Sequence, residues 1–202
     1  MTFSVITGVL AAALSGVFSL AQVVHIVRKR STAGLSDVAW LLLGLTFATW
    51  LAWGVLQSDP YLIATNTASL AGTLWVLWRI HSDSRITPLR VFWASAAVAT
   101  AFGLQLLGGT AGALLAVLAI TGYIRARQQR TTRTAPDLSG VAMSPWVISS
   151  VAQVVWWAHG LAAGKVILMV HAPFAIVANI ALLLTVHRRR HRLAGVQAVP
   201  RS

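Results

Sequence analysis

The chain has 202 residues, of which 57% are hydrophobic and only 10% charged, with a mean hydropathy of +0.74. A soluble domain carries roughly 25% charged residues, so the composition places the chain in a lipid bilayer and excludes an ordinary soluble enzyme. Its net charge of +12 sits in short clusters between apolar runs, a distribution that sets membrane orientation and gives no reason to expect a nucleic-acid partner.

Cysteine is absent, which removes disulfides, thiol chemistry and Cys-based metal sites. The first Lys or Arg is Arg28, after the first apolar run. A cleavable signal needs its charge before the apolar core, so the first run reads as a retained helix with its N-terminus outside.

A spanning helix needs about 20 mostly apolar residues, and about 17 suffice. Seven windows qualify: 4–27, 38–56, 61–78, 91–107, 108–124, 141–163 and 166–186. None contains Asp, Glu, Lys or Arg. The fourth and fifth are parted only by Gly108-Gly109, and one long bent helix is the rival reading. With seven helices, 15 basic residues fall on one side and only Lys165 on the other. The positive-inside rule then puts the C-terminus in the cytoplasm. Six helices would scatter the clusters over both sides.

The chain repeats. Trp40 precedes Trp50-Ala-Thr-Trp53-Gly54 just as Trp146 precedes Trp156-Trp157-Ala-His159-Gly160. Gly34 and Gly140 stand upstream, and the polar turns Ser58-Asp59 and Gly164-Lys165 follow. Further upstream, Ala21 and His25-Ile26 align with Ala119 and Tyr123-Ile124, leaving extra residues in the second loop, within 127–139. Helices one to three thus match helices five to seven, with helix four between them. One intervening helix gives the two units the same orientation, and parallel repeats place a solute site at their interface.

This pattern resembles the SWEET sugar transporters and the wider PQ-loop family. The resemblance covers nearly the whole chain. It rests on the three-plus-one-plus-three pattern, Ala21-Gln22 at the Pro-Gln position, Ser31-Thr-Ala-Gly34-Leu35-Ser36 after the basic loop, and Trp50 with Asn66. In that family a Trp and an Asn from each repeat line the sugar pocket, and prolines act as hinges. The resemblance implies the pocket role for Trp50 and Asn66 in the first repeat and for Trp156 in the second. Ala119-Ile120 stands for the second Pro-Gln pair. The second Asn is replaced around His171-Ala172-Pro173, with Phe174 falling at the pocket if Pro173 is the aligned residue. Pro145 is the counterpart of a hinge proline, and Pro173 is the other hinge candidate.

Each of these residues also has a plainer reading. Trp50 and Trp156 lie near mid-helix, which favours stacking on a sugar face over interfacial anchoring. Trp40, Trp75, Trp78, Trp93 and Trp146 lie near helix ends and read as interface belt. Asn66 and Gln22 are either solute and gate groups or interhelical glue, and Asn179 reads as glue. His171 is an ionisable residue in a membrane and hence a functional candidate. It either hydrogen-bonds solute, titrates with transport, or is satisfied by a neighbouring helix. His159 matches Trp53 and reads as an aromatic wall. The tail 187–192 reads as a basic cluster held at lipid headgroups.

The chain is therefore expected to be an all-α, polytopic membrane protein with seven transmembrane helices. Two parallel three-helix repeats (4–80 and 108–188) are joined by a linker helix (88–107), and a basic tail (189–202) follows. The expected function is facilitated transport of a small neutral solute, a mono- or disaccharide, across the cytoplasmic membrane by alternating access. A proton-coupled carrier of an amino acid or vitamin is the alternative within transport, and a non-transporting sensor or scaffold the alternative outside it. No cofactor, metal or enzymatic activity is expected, because phosphate loops, metal-ligand spacings and hydrolytic sets are missing. A homo-oligomer is compatible with the sequence.

Overall fold

The structure, a computed structural model, describes residues 2–56, 58–84 and 86–197. It is all-α. The helices are α1 (Phe3–Lys29), α2 (Asp37–Leu56), α3 (Pro60–Ser84), α4 (Pro88–Thr134), α5 (Ser144–Ala163) and α6 (Val166–Gln197). Among the described residues there are no strands.

The fourth helix is not one rod. Gly109 interrupts it with φ 54° and ψ −141°, a conformation open to glycine and strained for other residues. Straight, 47 residues would run about 70 Å at 1.5 Å per residue. Instead Arg90, near its start, pairs with Asp37, while Gln128, near its end, bonds the Ser36 backbone. Both ends thus meet at adjacent residues, so the chain reverses at Gly109. The two limbs, 88–108 and 110–134, make seven helical segments among the described residues.

Packing closes these segments into a ring. The neighbours are α1 with α3, α3 with α2, α2 with α4, α4 with α6, α6 with α5, and α5 with α1. Within each repeat the third helix lies between the other two. Across repeats, α1 meets α5 and α2 meets α4, the exchange expected of two like units facing each other.

One displacement, 106 residues, relates the repeats throughout. It carries Trp40 to Trp146, Gly54 to Gly160 and Thr73 to Asn179. The geometry follows. A Cβ on Gly54 would stand 2.9 Å from Leu62 Cβ, and one on Gly160 2.8 Å from Leu168 Cβ. Ser58 and Gly164, also equivalent, have φ of 50° and 65°.

This register corrects the sequence reading upstream. Gln22 is matched by Gln128, so Arg127-Gln128, not Ala119-Ile120, stands opposite Ala21-Gln22. Nor does the second loop hold extra residues, because Gln to Gly is the same span in both repeats. The fifth window ended at residue 124, where charge begins, but the helix continues to Thr134. It does so amphipathically, with Gln128 and Thr132 buried while Arg130 and Arg133 are exposed.

Burial corrects two tryptophans. Trp40 and Trp146 are not belt residues but core, and both pack on Phe18, with ring centroids 6.1 and 5.3 Å away. Trp78 and Trp93 are exposed, as the belt reading expects. The tail does not begin as free chain either. Helix α6 runs on to Gln197, and Arg189 and Arg190 reach back to the carbonyls of Ala135 and Val141.

Apolar side chains cover much of the exterior, and polar side chains stand among the buried ones. Large apolar side chains are exposed at helical spacing, as on α5 at Val147, Val151, Val154 and Leu161. The fully buried positions include Gln22, Ser19, Thr73, Gln128 and Asn179. Among the described residues, two helices, Phe3–Lys29 and Val166–Ala194, are long and apolar enough to cross a membrane.

Gly140 shows how tightly the repeats meet. Its N–H donates to Ala33 O at 3.1 Å, and a Cβ there would lie 2.4 Å from the Thr32 carbonyl carbon. We expect Gly140→Ala to lower thermal stability in detergent by about 1–3 kcal/mol, the usual cost of overpacking. Gly164→Ala, at a positive φ with open space around it, is expected to cost only about 1 kcal/mol.

Candidate functional site

A cavity of about 180 Å³ lies at the centre of the ring and is lined by all six helices. That is room for several water molecules or one small solute. The lining obeys the repeat. Ser15 and Thr121, Phe18 and Ile124, and Phe47 and Gln153 are equivalent pairs on its wall. So are Trp50 and Trp156, Leu62 and Leu168, and Thr65 and His171. The two halves therefore present the same backbone positions to one space, with different chemistry at several of them.

Trp50, Asn66, Trp156 and His171 all line this cavity. Helices α2 and α5 deliver the tryptophans at mid-length, and the N-terminal parts of α3 and α6 deliver Asn66 and His171. Trp156 is held by Nε1–H donating to Ser15 Oγ at 2.9 Å. Asn66 turns its Nδ2 onto Leu62 O at 2.8 Å, and His171 Nε2 lies 3.1 Å from Thr121 Oγ1. Thr65, equivalent to His171, keeps a buried hydroxyl with no partner among the described residues. Such a group is costly to leave unmet, and it faces the cavity.

Other expected residues fall elsewhere. Ala172, the equivalent of Asn66, is fully buried and packs against Trp156. Phe174 is exposed and packs beside Gly122, outside the cavity. His159 is not an aromatic wall of the cavity. Its Nδ1 lies 2.9 Å from Ser4 O, and its ring edge meets Trp156, so it ties α5 to α1. The Trp53 side chain lies outside the described residues. Pro145 sits in the first turn of α5, where its missing N–H costs no helical bond. It starts a helix and is not a mid-helix hinge. Pro173 lies inside α6, where it removes one bond of the helical ladder.

Contacts between the repeats flank the cavity at both ends. At the end carrying the 30–36 and 135–143 loops, Gln22 donates to Gly140 O at 2.6 Å and accepts from Ala142 N at 3.3 Å. Gln128 donates to Gly34 O at 2.8 Å and accepts from Ser36 N at 3.0 Å. The two clamps are equivalent residue for residue. Each repeat's first helix holds the turn that precedes the other repeat's second helix. His25 Nε2 on Ser139 O and Ser139 Oγ on Ser31 Oγ, both at 2.8 Å, add to this seal.

The opposite end carries a lighter contact. Asp59 and Lys165, again equivalent positions, form an ion pair at 3.4 Å. Asp59 also caps α3 by accepting from Tyr61 N and Leu62 N.

Sequence reasoning missed Gln128, Arg125 and the Asp59–Lys165 pair. Carrying the tryptophan displacement upstream pairs Gln128 with Gln22 and Arg125 with Ser19, and carrying it downstream pairs Lys165 with Asp59. Arg125 was counted as a loop charge; it is buried, lines the cavity, and donates through Nε to Asn179 Oδ1 at 2.6 Å.

Comparison of the chain with family models, curated protein sequences and solved structures returns no match.

Replacing Gln22 or Gln128 with Ala leaves a buried carbonyl and a buried N–H without partners. Each variant is expected to lose about 1–3 kcal/mol of stability, read as a lowered apparent Tm in detergent. Trypsin cleavage at Arg28-Lys29-Arg30 should quicken in the same variants. Unchanged cleavage with unchanged Tm would show that the clamps do not hold the loop end shut.

Proposed function

We propose that this chain is a membrane carrier for a small polar solute of sugar size, working by alternating access between its two three-helix repeats. The observation that carries this reading is the central cavity, to which the two repeats contribute equivalent positions, two tryptophans among them. The apolar outer face, with polar side chains buried and paired inside, supports a bilayer setting, since lipid offers polar groups no partners. All seven helical segments then span the cytoplasmic membrane, with the N-terminus outside and the basic loops inside.

The glutamine of the Pro-Gln position now stands in both repeats, as Gln22 and Gln128, although the proline stands in neither. This adds to the likeness with the SWEET family. Trp50 and Trp156 would stack on the solute, and Asn66, Thr65 and His171 would meet its polar groups. The glutamine clamps would form the inner gate, and the Asp59–Lys165 pair the outer one. Pro173, two residues after the cavity-lining His171, is the hinge candidate that remains.

Alternating access can be read without knowing the solute, because the chain has no cysteine. A cysteine at Ser149 should react with a membrane-impermeant thiol reagent from the outside in wild-type background. Gln22→Ala/Gln128→Ala should make it reactive from the inside. Cross-linking Asp59→Cys to Lys165→Cys should abolish outside labelling. Labelling that is insensitive to both gates would sink the carrier reading. In proteoliposomes, Trp50→Ala and Asn66→Ala are each expected to cut solute uptake at least tenfold.

A further inference from the structure

We infer that the solute is an anion, a monocarboxylate of sugar size, and that Arg125 is the residue that binds its charge. This rests on the carrier reading of the cavity and specifies what the cavity accepts.

Arg125 is the charged side chain among the cavity's lining residues, and it is buried. Its guanidinium lies 4.4 Å from the Trp146 ring centroid, and its Nε is used on Asn179. Neither terminal nitrogen has an acceptor among the described residues. The chain has only four acidic residues, and all are committed elsewhere. Asp37 pairs with Arg90, Asp59 with Lys165 and Asp83 with Arg79, while Asp137 accepts from Ser139. Among the described residues, no side-chain carboxylate neutralises Arg125.

The other repeat shows that the charge is not needed for packing. The equivalents of Arg125 and Asn179 are Ser19 and Thr73, which make the same helix-to-helix tie, hydroxyl to hydroxyl, at 2.9 Å. The second repeat makes that tie with a cation at the cavity wall. A buried cation is strongly disfavoured unless it is paired, and the missing partner is a negative charge inside the cavity.

A carboxylate fits the fork of a guanidinium, and one cation matches one negative charge. The remaining wall supplies partners for the rest of such a solute. Asn179, which holds Arg125, also donates to Ser149 Oγ at 3.1 Å, at the cavity wall. Gln153 and the unpartnered Thr65 hydroxyl face the same space. A sugar acid, with one carboxylate and several hydroxyls, matches this set better than a neutral sugar.

The test is binding to the purified full-length protein in detergent, read by tryptophan fluorescence. D-Gluconate is compared with D-gluconamide, its neutral counterpart of nearly equal shape, and D-glucuronate with D-glucose. Wild type should bind each acid at least tenfold more tightly than its neutral partner, and added salt should weaken only the acid. Arg125→Gln should erase the preference, and Arg125→Lys should retain part of it. Should Arg125→Gln fail to fold, the gluconate–gluconamide comparison on wild type decides alone. Equal binding of acid and neutral partner, tighter binding of the neutral one, or binding of none of the four overturns the inference. The cysteine-accessibility test of alternating access needs no solute, so it can succeed while this inference fails, and the reverse.

Discussion

The fold depends on one constraint: a bundle with an apolar exterior must satisfy its polar groups within itself. Gln22 and Gln128 meet that constraint across the interface between the repeats. Each is buried, each carries one donor and one acceptor face, and each spends both on the backbone of the other repeat's turn. Glutamine suits the task because its amide can donate to a carbonyl and accept from an N–H at once. Because the clamp is reciprocal, neither repeat can complete its own hydrogen bonding alone. The interface is therefore specified by chemistry at four turn positions, and apolar packing around Phe18, Trp40 and Trp146 fills in beneath it.

The contacts at the two ends differ in kind. At the loop end, several buried hydrogen bonds act together, each worth about 0.5–1.5 kcal/mol net and more if one partner is stranded. At the turn end stands an ion pair whose lysine is half exposed, and such pairs contribute about 0–1 kcal/mol. In the proposed carrier this difference sets the resting state. The cavity opens more readily through the Asp59–Lys165 end than through the glutamine clamps. Opening the loop end requires all four clamp bonds to be replaced, by water or by new contacts, and the bound solute must supply the differential affinity for that state.

Much of this was legible in the sequence. Charge distribution fixed the seven-segment reading, and the structure supports it by folding 88–134 back on itself at Gly109. The paired tryptophans gave the repeat and two walls of the cavity. What stayed hidden has a common cause. Hydropathy treats charge as the end of a membrane helix, which puts Arg125 in a loop and leaves Gln128 outside the fifth window. Amphipathic continuation, with Arg130 and Arg133 outward and Gln128 and Thr132 inward, is invisible to a window average. His159 was misread for another reason. Its match to Trp53 was real, but equivalent positions in a repeat need not keep equivalent roles, and a ring nitrogen near Ser4 O makes it a tie.

That last point bears on how the cavity acquired its chemistry. The repeats share backbone positions, yet the equivalents of Ser19, Phe47, Thr65 and Asn66 are Arg125, Gln153, His171 and Ala172. A symmetric cavity would offer a solute two equal orientations, whereas an asymmetric one offers a single preferred pose. The cation and the imidazole come from the second repeat, and the asparagine with the unpartnered threonine hydroxyl from the first. In the proposed carrier, a solute lying between Trp50 and Trp156 would meet charge on one side and neutral hydrogen-bonding groups on the other. Rocking of the repeats would keep the charged end on the second repeat throughout, so that only the contacts to the first need be exchanged. Under the carrier reading, the decay of the repeat at these positions gives the solute a direction within its site, and the conserved geometry of the clamps and glycines is what allows both repeats to close around it.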